Sequence, residues 1–243
     1  PPLTVPTEHS VIPVVRSLEE LSLRRFEGSE PILGDASRDS GNDLLGHARR
    51  SMHEAHKVAD KIDEAIKKAD ARGSREYPSF TLAGNLRTIA QLIRADLGLR
   101  IFYTELGGDG FGGFDNHANQ AENHAALLRQ LSESVAAMAD DLAADKLLDR
   151  VLLMTFSEFG RTLEENGRRG TGHGSAAPVF LVGGAVQGGL VGRHPDLTDL
   201  ENGSPKAHTD FRSVYATILD RWLALDSKAV LGESFKPLDL FDA

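Results

Sequence analysis

The chain contains no cysteine, so no disulfide can staple it, no thiol can act as a nucleophile and no thiolate can hold zinc. Any metal must rest on His, Asp and Glu. An excess of basic residues is also missing: 27 Lys and Arg stand against 36 Asp and Glu, a formal charge of −9. That balance offers no phosphate-backbone footprint over the surface, and nucleic acid is not an expected partner. Nor is there an apolar run of the ~18–20 residues that a membrane helix needs. The first residues, Pro1-Pro2-Leu3-Thr4, carry neither an initiator Met nor a basic-then-apolar signal pattern, so the chain is expected to be a fragment or a processed product.

What is present is an ordinary globular composition over 243 residues, 40% hydrophobic and 26% charged, enough for one large or two small domains with a sizeable core. Residues 1–40 are proline-rich, with short β-branched runs (Val11-Ile12, Val14-Val15) between turn residues, and read as extended chain. Leu44 to Ala71 has helical apolar spacing through Leu45, Met52, Val58, Ile62 and Ile66. On that helix His53, His56 and Asp60 share a face, which suits either a metal or, more simply, solvent.

A second helix is predicted from Leu82 to Leu97, stopped by Gly98, and a third from Ala121 to Ala144. Leu99 to Leu106 reads as a buried strand running into the glycine-rich stretch 107–113. Arg150 to Phe156 and Val179 to Val182 read as further apolar strands, and Gly188 to Gly192 as a short hairpin element. Phe211 to Leu225 reads as a last helix, with Val214, Tyr215, Ile218, Leu219 and the single Trp, Trp222, on one face. Strands alternating with helices predict an α/β fold, a mostly parallel sheet with helices on both faces and ligands beyond the carboxyl ends of its strands.

The chemistry-bearing residues gather at those strand ends. In Gly113-Phe114-Asp115-Asn116-His117, a carboxylate and an imidazole two apart in extended chain point to the same side, a pattern that suits a divalent metal or arises by chance. His124, seven residues on, is either a supporting donor or a helix-surface residue. In Ser157-Glu158-Phe159-Gly160-Arg161 a carboxylate ends a very apolar strand; buried there, Glu158 would need a partner. That partner is either Arg161, in a local ion pair, or a metal, which leaves Arg161 free to hold an anionic substrate. In Gly170-Thr171-Gly172-His173-Gly174-Ser175 a bare loop gives His173 little to pack against, which favours a ligand or catalytic role over a packed one. The same glycines could instead form a backbone anion nest. In His208-Thr209-Asp210-Phe211-Arg212, Thr209 or Asp210 is the expected helix N-cap.

Taken together, the segments 112–120, 157–162, 170–174 and 209–212 resemble, in order and spacing, the domain-of-unknown-function 1501 (DUF1501) family, relatives of the alkaline phosphatase and sulfatase superfamily. The resemblance covers roughly residues 80–241. It implies an alkaline-phosphatase-like sheet, with residues 1–80 as a variable region of the same domain and 81–243 as the C-terminal part of it. It also implies one or two divalent ions (zinc, manganese or calcium) gripping a phosphate or sulfate ester. By motif position Asp115, His117, Glu158 and His173 look like metal ligands, and Arg161 like the residue that steadies the anion. Phe159 stands where the superfamily has a His, and Gly172 where the family commonly has Asp. Residues 1–80 contain no match to the superfamily's nucleophile segment. The expectation is therefore a metal-dependent hydrolase-like portion of a longer, exported or periplasmic protein acting on a small anionic ester. The alternative is an exported binding or surface-associated protein that keeps the fold without the reaction.

Overall fold

A computed structural model describes residues 75–107 and 113–242, the helical residues Asp60, Ile62, Glu64, Lys67 and Lys68, and the backbone of residues 4–6 and 11–13. His53 and His56, and most of the glycine-rich stretch, lie outside the described residues; Asp60 is exposed. The chain divides into two compact units, Pro1–Thr104 and Glu105–Ala243.

In the first unit, β1 (Thr4–Pro6) pairs antiparallel with β2 (Val11–Pro13). Helix α1, Thr81–Ala95, forms where apolar residues recur every three or four positions, and buries Leu82, Ala83, Leu86, Ala90 and Leu92. It ends at Asp96, which takes a left-handed conformation and donates its N–H to Ile93 O. Ile62 and Leu92 form a buried cluster, with Leu97 and Phe102 packed against it. The run Leu99–Leu106, expected as a buried strand, is not one. It pairs with no strand among the described residues and leaves Ile101 76% and Tyr103 71% exposed. It is fastened through Phe102 and by Asn85 Nδ2 donating to Thr104 Oγ1. Apolar content measures what a segment could bury, and no ladder partner that would make it a strand stands among the described residues.

The second unit holds the long helix α2, Gln120–Ala144, whose inner stripe includes Leu127, Met138 and Leu142. Three antiparallel pairs follow: β3 (Leu153–Met154) with β6 (Leu181–Val182), β4 (Gly160–Arg161) with β5 (His173–Gly174), and β7 (Leu200–Glu201) with β8 (Ser204–Pro205). The C-terminal part contributes α3 (Phe211–Thr217), a π-helical turn at Ile218–Trp222 and α4 (Ser227–Leu231). Asp210 caps α3 by accepting from Arg212 N, as its position suggested, and Trp222 stacks on Phe241 with centroids 5.6 Å apart. No helix among the described residues is long and apolar enough to cross a membrane.

This architecture corrects the expected mostly parallel, alkaline-phosphatase-like α/β sheet with helices on both faces. Every described strand pair is antiparallel and two-stranded. The reason lies in the connections: parallel neighbours need a crossover, usually a helix. Residues 155–180 between β3 and β6 contain no helix, only the β4–β5 pair and its loops, so the chain returns antiparallel. The hairpin expected at 188–192 does not form either. It forms instead around Asn202-Gly203, whose φ values of 50° and 77° suit the two-residue turn that Asn-Gly favours.

Close backbone approach sets the packing of β4 on its neighbours. A Cβ on Gly160 would lie 1.7 Å from Ala176 O, an overlap that backbone must absorb. Gly160→Ala is therefore expected to destabilise the fold by about 3 kcal/mol, whereas Gly188→Ala, which meets open space, should leave the denaturation midpoint unchanged. Chemical denaturation of the two variants beside the wild type checks this.

Candidate metal centre

The β4–β5 register sets Arg161 directly opposite His173, so the two side chains rise side by side from one face. No larger residue fits beneath them. A Cβ on Gly174 would stand 2.6 Å from both Arg161 O and Ser204 Oγ. Thr162 prolongs the pairing: its N donates to Gly172 O at 3.0 Å, and Gly172 N donates back to Thr162 Oγ1 at 2.9 Å.

Asp115 and His117 reach the same place by a different device. They do not lie on an extended strand; His117 N donates to Asp115 O at 3.2 Å, and this tight bend turns both side chains together. The bend is held by the loop 166–171. Asn166 Nδ2 donates to His117 O at 3.2 Å, while Asn166 Oδ1 accepts from Arg168 N and Gly170 N. Thr171 N donates to Asn116 O at 3.3 Å. Gly170 lies against the His117 backbone so closely that a Cβ would come within 2.2 Å of it. The same loop satisfies the start of α2, since Asn119 N and Gln120 N donate to Arg168 O and Arg169 O.

The outcome is a triangle of ligand atoms. His117 Nε2 and His173 Nε2 are 3.0 Å apart, and each stands 2.9 Å from Asp115 Oδ1. Arg161 Nη1 donates to that same oxygen at 2.9 Å, and Arg161 Nε donates to Thr171 Oγ1, which in turn donates to Gln120 Oε1. The Phe159 ring lies flat on His173, 3.7 Å away and 8° from parallel, and fixes the plane of the imidazole. The side chains of the three candidate ligands are 41–47% exposed and that of Arg161 16%, so the triangle is more open to solvent than the arginine beside it.

Hydrogen bonding alone does not satisfy this geometry. Each neutral imidazole carries one ring proton, and one N–H cannot point at both of the other two corners. A cation among the three lone pairs satisfies all of them, and corners 2.9–3.0 Å apart approach the ~3.3 Å separation of ligands ~2.0–2.1 Å from a tetrahedral ion. His, His and Asp thus fit a divalent ion. The Asp115 carboxyl is held below its ordinary value, first by the hydrogen bond with His173 and further by Arg161, against the opposing effect of desolvation. Its contribution to stability is accordingly present above the ordinary carboxylate range and is lost as pH falls through the lowered value.

Of the residues singled out in the sequence, Asp115, His117, His173 and Arg161 meet here. Glu158 does not join them. It is exposed and makes no ion pair among the described residues, so it lacks the burial that would have demanded a partner. Arg161 pairs with Asp115 rather than with Glu158. His124 packs edge-on against Phe114, 5.3 Å between centroids, outside the triangle. Sequence reasoning passed over Asn166, Thr171 and Gln120 as supports, and Phe159 as the platform for His173. Thr171 and Gln120 lie inside the recognisable motifs, whereas nothing in the spacing of Asn166 points to His117.

Because one amide makes a bond to His117 O and two to the backbone of its own loop, Asn166→Ala is expected to destabilise the second unit by about 1–3 kcal/mol. Asn166→Asp, which keeps the two acceptor bonds, should lose less. Thermal unfolding of both variants orders them.

No curated protein and no solved structure matches the chain. A family model does: the one described as "Protein of unknown function (DUF1501)" matches residues 16–234. With nearly the whole length matched, the chain belongs to the DUF1501 family.

Proposed function

We propose that the protein is a metal-dependent, hydrolase-like member of its family that acts on phosphate or sulfate esters. Its divalent ion is held by Asp115, His117 and His173, and the anionic group of its substrate is steadied by Arg161. The observation that carries this reading is the convergence of two imidazole nitrogens and a carboxylate oxygen to 2.9–3.0 Å of one another in a solvent-open position. The ester class rests on the motif positions of Asp115, His117 and His173, which resemble those of metal ligands in phosphatases and sulfatases; kinship with that superfamily and an exported setting belong to the same proposal.

A divalent ion in such a centre supplies Lewis-acid polarisation of an ester oxygen and a lowered pKa for water. The chain's own residues supply the rest. Asp115 brings the negative charge, His117 and His173 the neutral lone pairs, and Phe159 and Asn166 hold the two imidazoles in register. Two imidazoles with one carboxylate suit zinc or manganese better than calcium, which takes oxygen ligands.

Elemental mass spectrometry tests the centre. The wild-type chain is expected to carry a divalent ion that the His117→Ala, His173→Ala double variant loses and that Glu158→Ala retains. An ion that stays with the double variant would sink the reading. With the ion present, hydrolysis of a panel of phosphate and sulfate esters supports the enzyme. Tight metal binding without turnover of any ester would favour the binding-protein alternative.

A further inference from the structure

We infer that the centre is built for a single divalent ion, with Arg161 filling the place of a second, so that a bound oxyanion is shared between the ion and Arg161 Nη2. The inference rests on the metal-centre reading above and specifies it.

A carboxylate that serves two ions lies between them, the ions being ~3.5–4 Å apart in two-metal sites. Asp115 already has Arg161 as one positive partner, and a single ion at the triangle would be its second. One side of Oδ1 faces the His117 and His173 nitrogens, and Arg161 Nη1 donates to the same oxygen at 2.9 Å. Arg161 cannot swing aside cheaply. It sits opposite His173 in the β4–β5 register, its Nε is tied to Thr171 Oγ1, and its side chain is 16% exposed. A second divalent ion beside Oδ1 would face that fixed guanidinium charge. On the side of the His173 imidazole the stacked residue is Phe159, 3.7 Å away, which offers no ligand atom to a second ion.

The remaining nitrogen defines the ligand. Arg161 Nη2 is buried and has no hydrogen-bond partner among the described residues. An unmet buried donor is costly, and an incoming acceptor relieves it. Because Nη1 of the same planar group contacts a corner of the triangle, an acceptor on the edge shared by Nη1 and Nη2 stands beside the ion's position. An oxyanion meets both demands, one oxygen towards the ion and another towards Nη2, and guanidinium suits phosphate, sulfate and carboxylate alike.

The test uses the chelator-treated full chain, with zinc or manganese binding followed by equilibrium dialysis and calorimetry, and inorganic phosphate as the anion probe. Wild type is expected to bind one ion per chain. Two tight equivalents overturn this inference while leaving the metal-centre reading intact, and no binding overturns both. Arg161→Gln removes the charge but keeps an N–H for Asp115. It should bind the ion more tightly, yet bind phosphate to the ion-loaded chain about tenfold more weakly. Arg161→Lys, which keeps the charge, should leave ion affinity near that of wild type. If Arg161→Gln weakens ion and phosphate together, Arg161 merely props Asp115 and the inference fails.

Discussion

One carboxylate oxygen organises the second unit. Asp115 Oδ1 accepts from Arg161 and stands at hydrogen-bond distance from two imidazole nitrogens, so three side chains from three separate segments depend on one negative charge. Those segments are the bend at 115–117, strand β4 and strand β5. Without the carboxylate, the largely covered Arg161 guanidinium would lose its counter-charge. The electrostatics of the centre and the placement of its three chain segments are therefore one problem with one solution.

Glycine makes that solution sterically possible. Gly160, Gly170 and Gly174 stand where backbone passes backbone too closely for a Cβ, against Ala176, His117 and Arg161 respectively. The glycine-rich surroundings of His173, read from the sequence as a sign of an unobstructed side chain, thus have a second cause. They let the loop 166–174 press onto the bend at His117, and this brings the two imidazoles together. Polar bonds then lock the arrangement, with Asn166 gripping the bend and Thr171 linking Arg161 to Gln120 at the start of α2.

How much was legible differed by element, for physical reasons. Helices α1 and α2 announced themselves because a helix satisfies its own backbone and needs only a stripe at 3.6-residue spacing; their bounds fell within a few residues of expectation. Strands carry no such local signature, since a strand exists only with a partner. Leu99–Leu106 found none among the described residues, and Arg150–Phe156 kept only Leu153–Met154 in a ladder. The order of pairing, and with it the parallel sheet that the alternation of elements suggested, could not be read from apolar runs alone. The Asn202-Gly203 turn was readable from its dipeptide, yet a glycine pair nearby drew the expectation instead.

The sequence by itself determined the chemical inventory: no thiol, a net negative charge, and a few His, Asp and Arg residues set in glycine-rich motifs whose order marks the family. It also determined helices α1 and α2 and an N-cap at Thr209 or Asp210, because those rest on contacts within a few residues. Only the tertiary structure decided which of the candidates meet. Asp115 and His173 are 58 positions apart and become neighbours through the β4–β5 register and the Gly170 approach, while Glu158, three residues from Arg161, is left exposed. Proximity along the chain fixes local hydrogen bonds, but a ligand set is made by long-range pairing, which residue spacing does not encode.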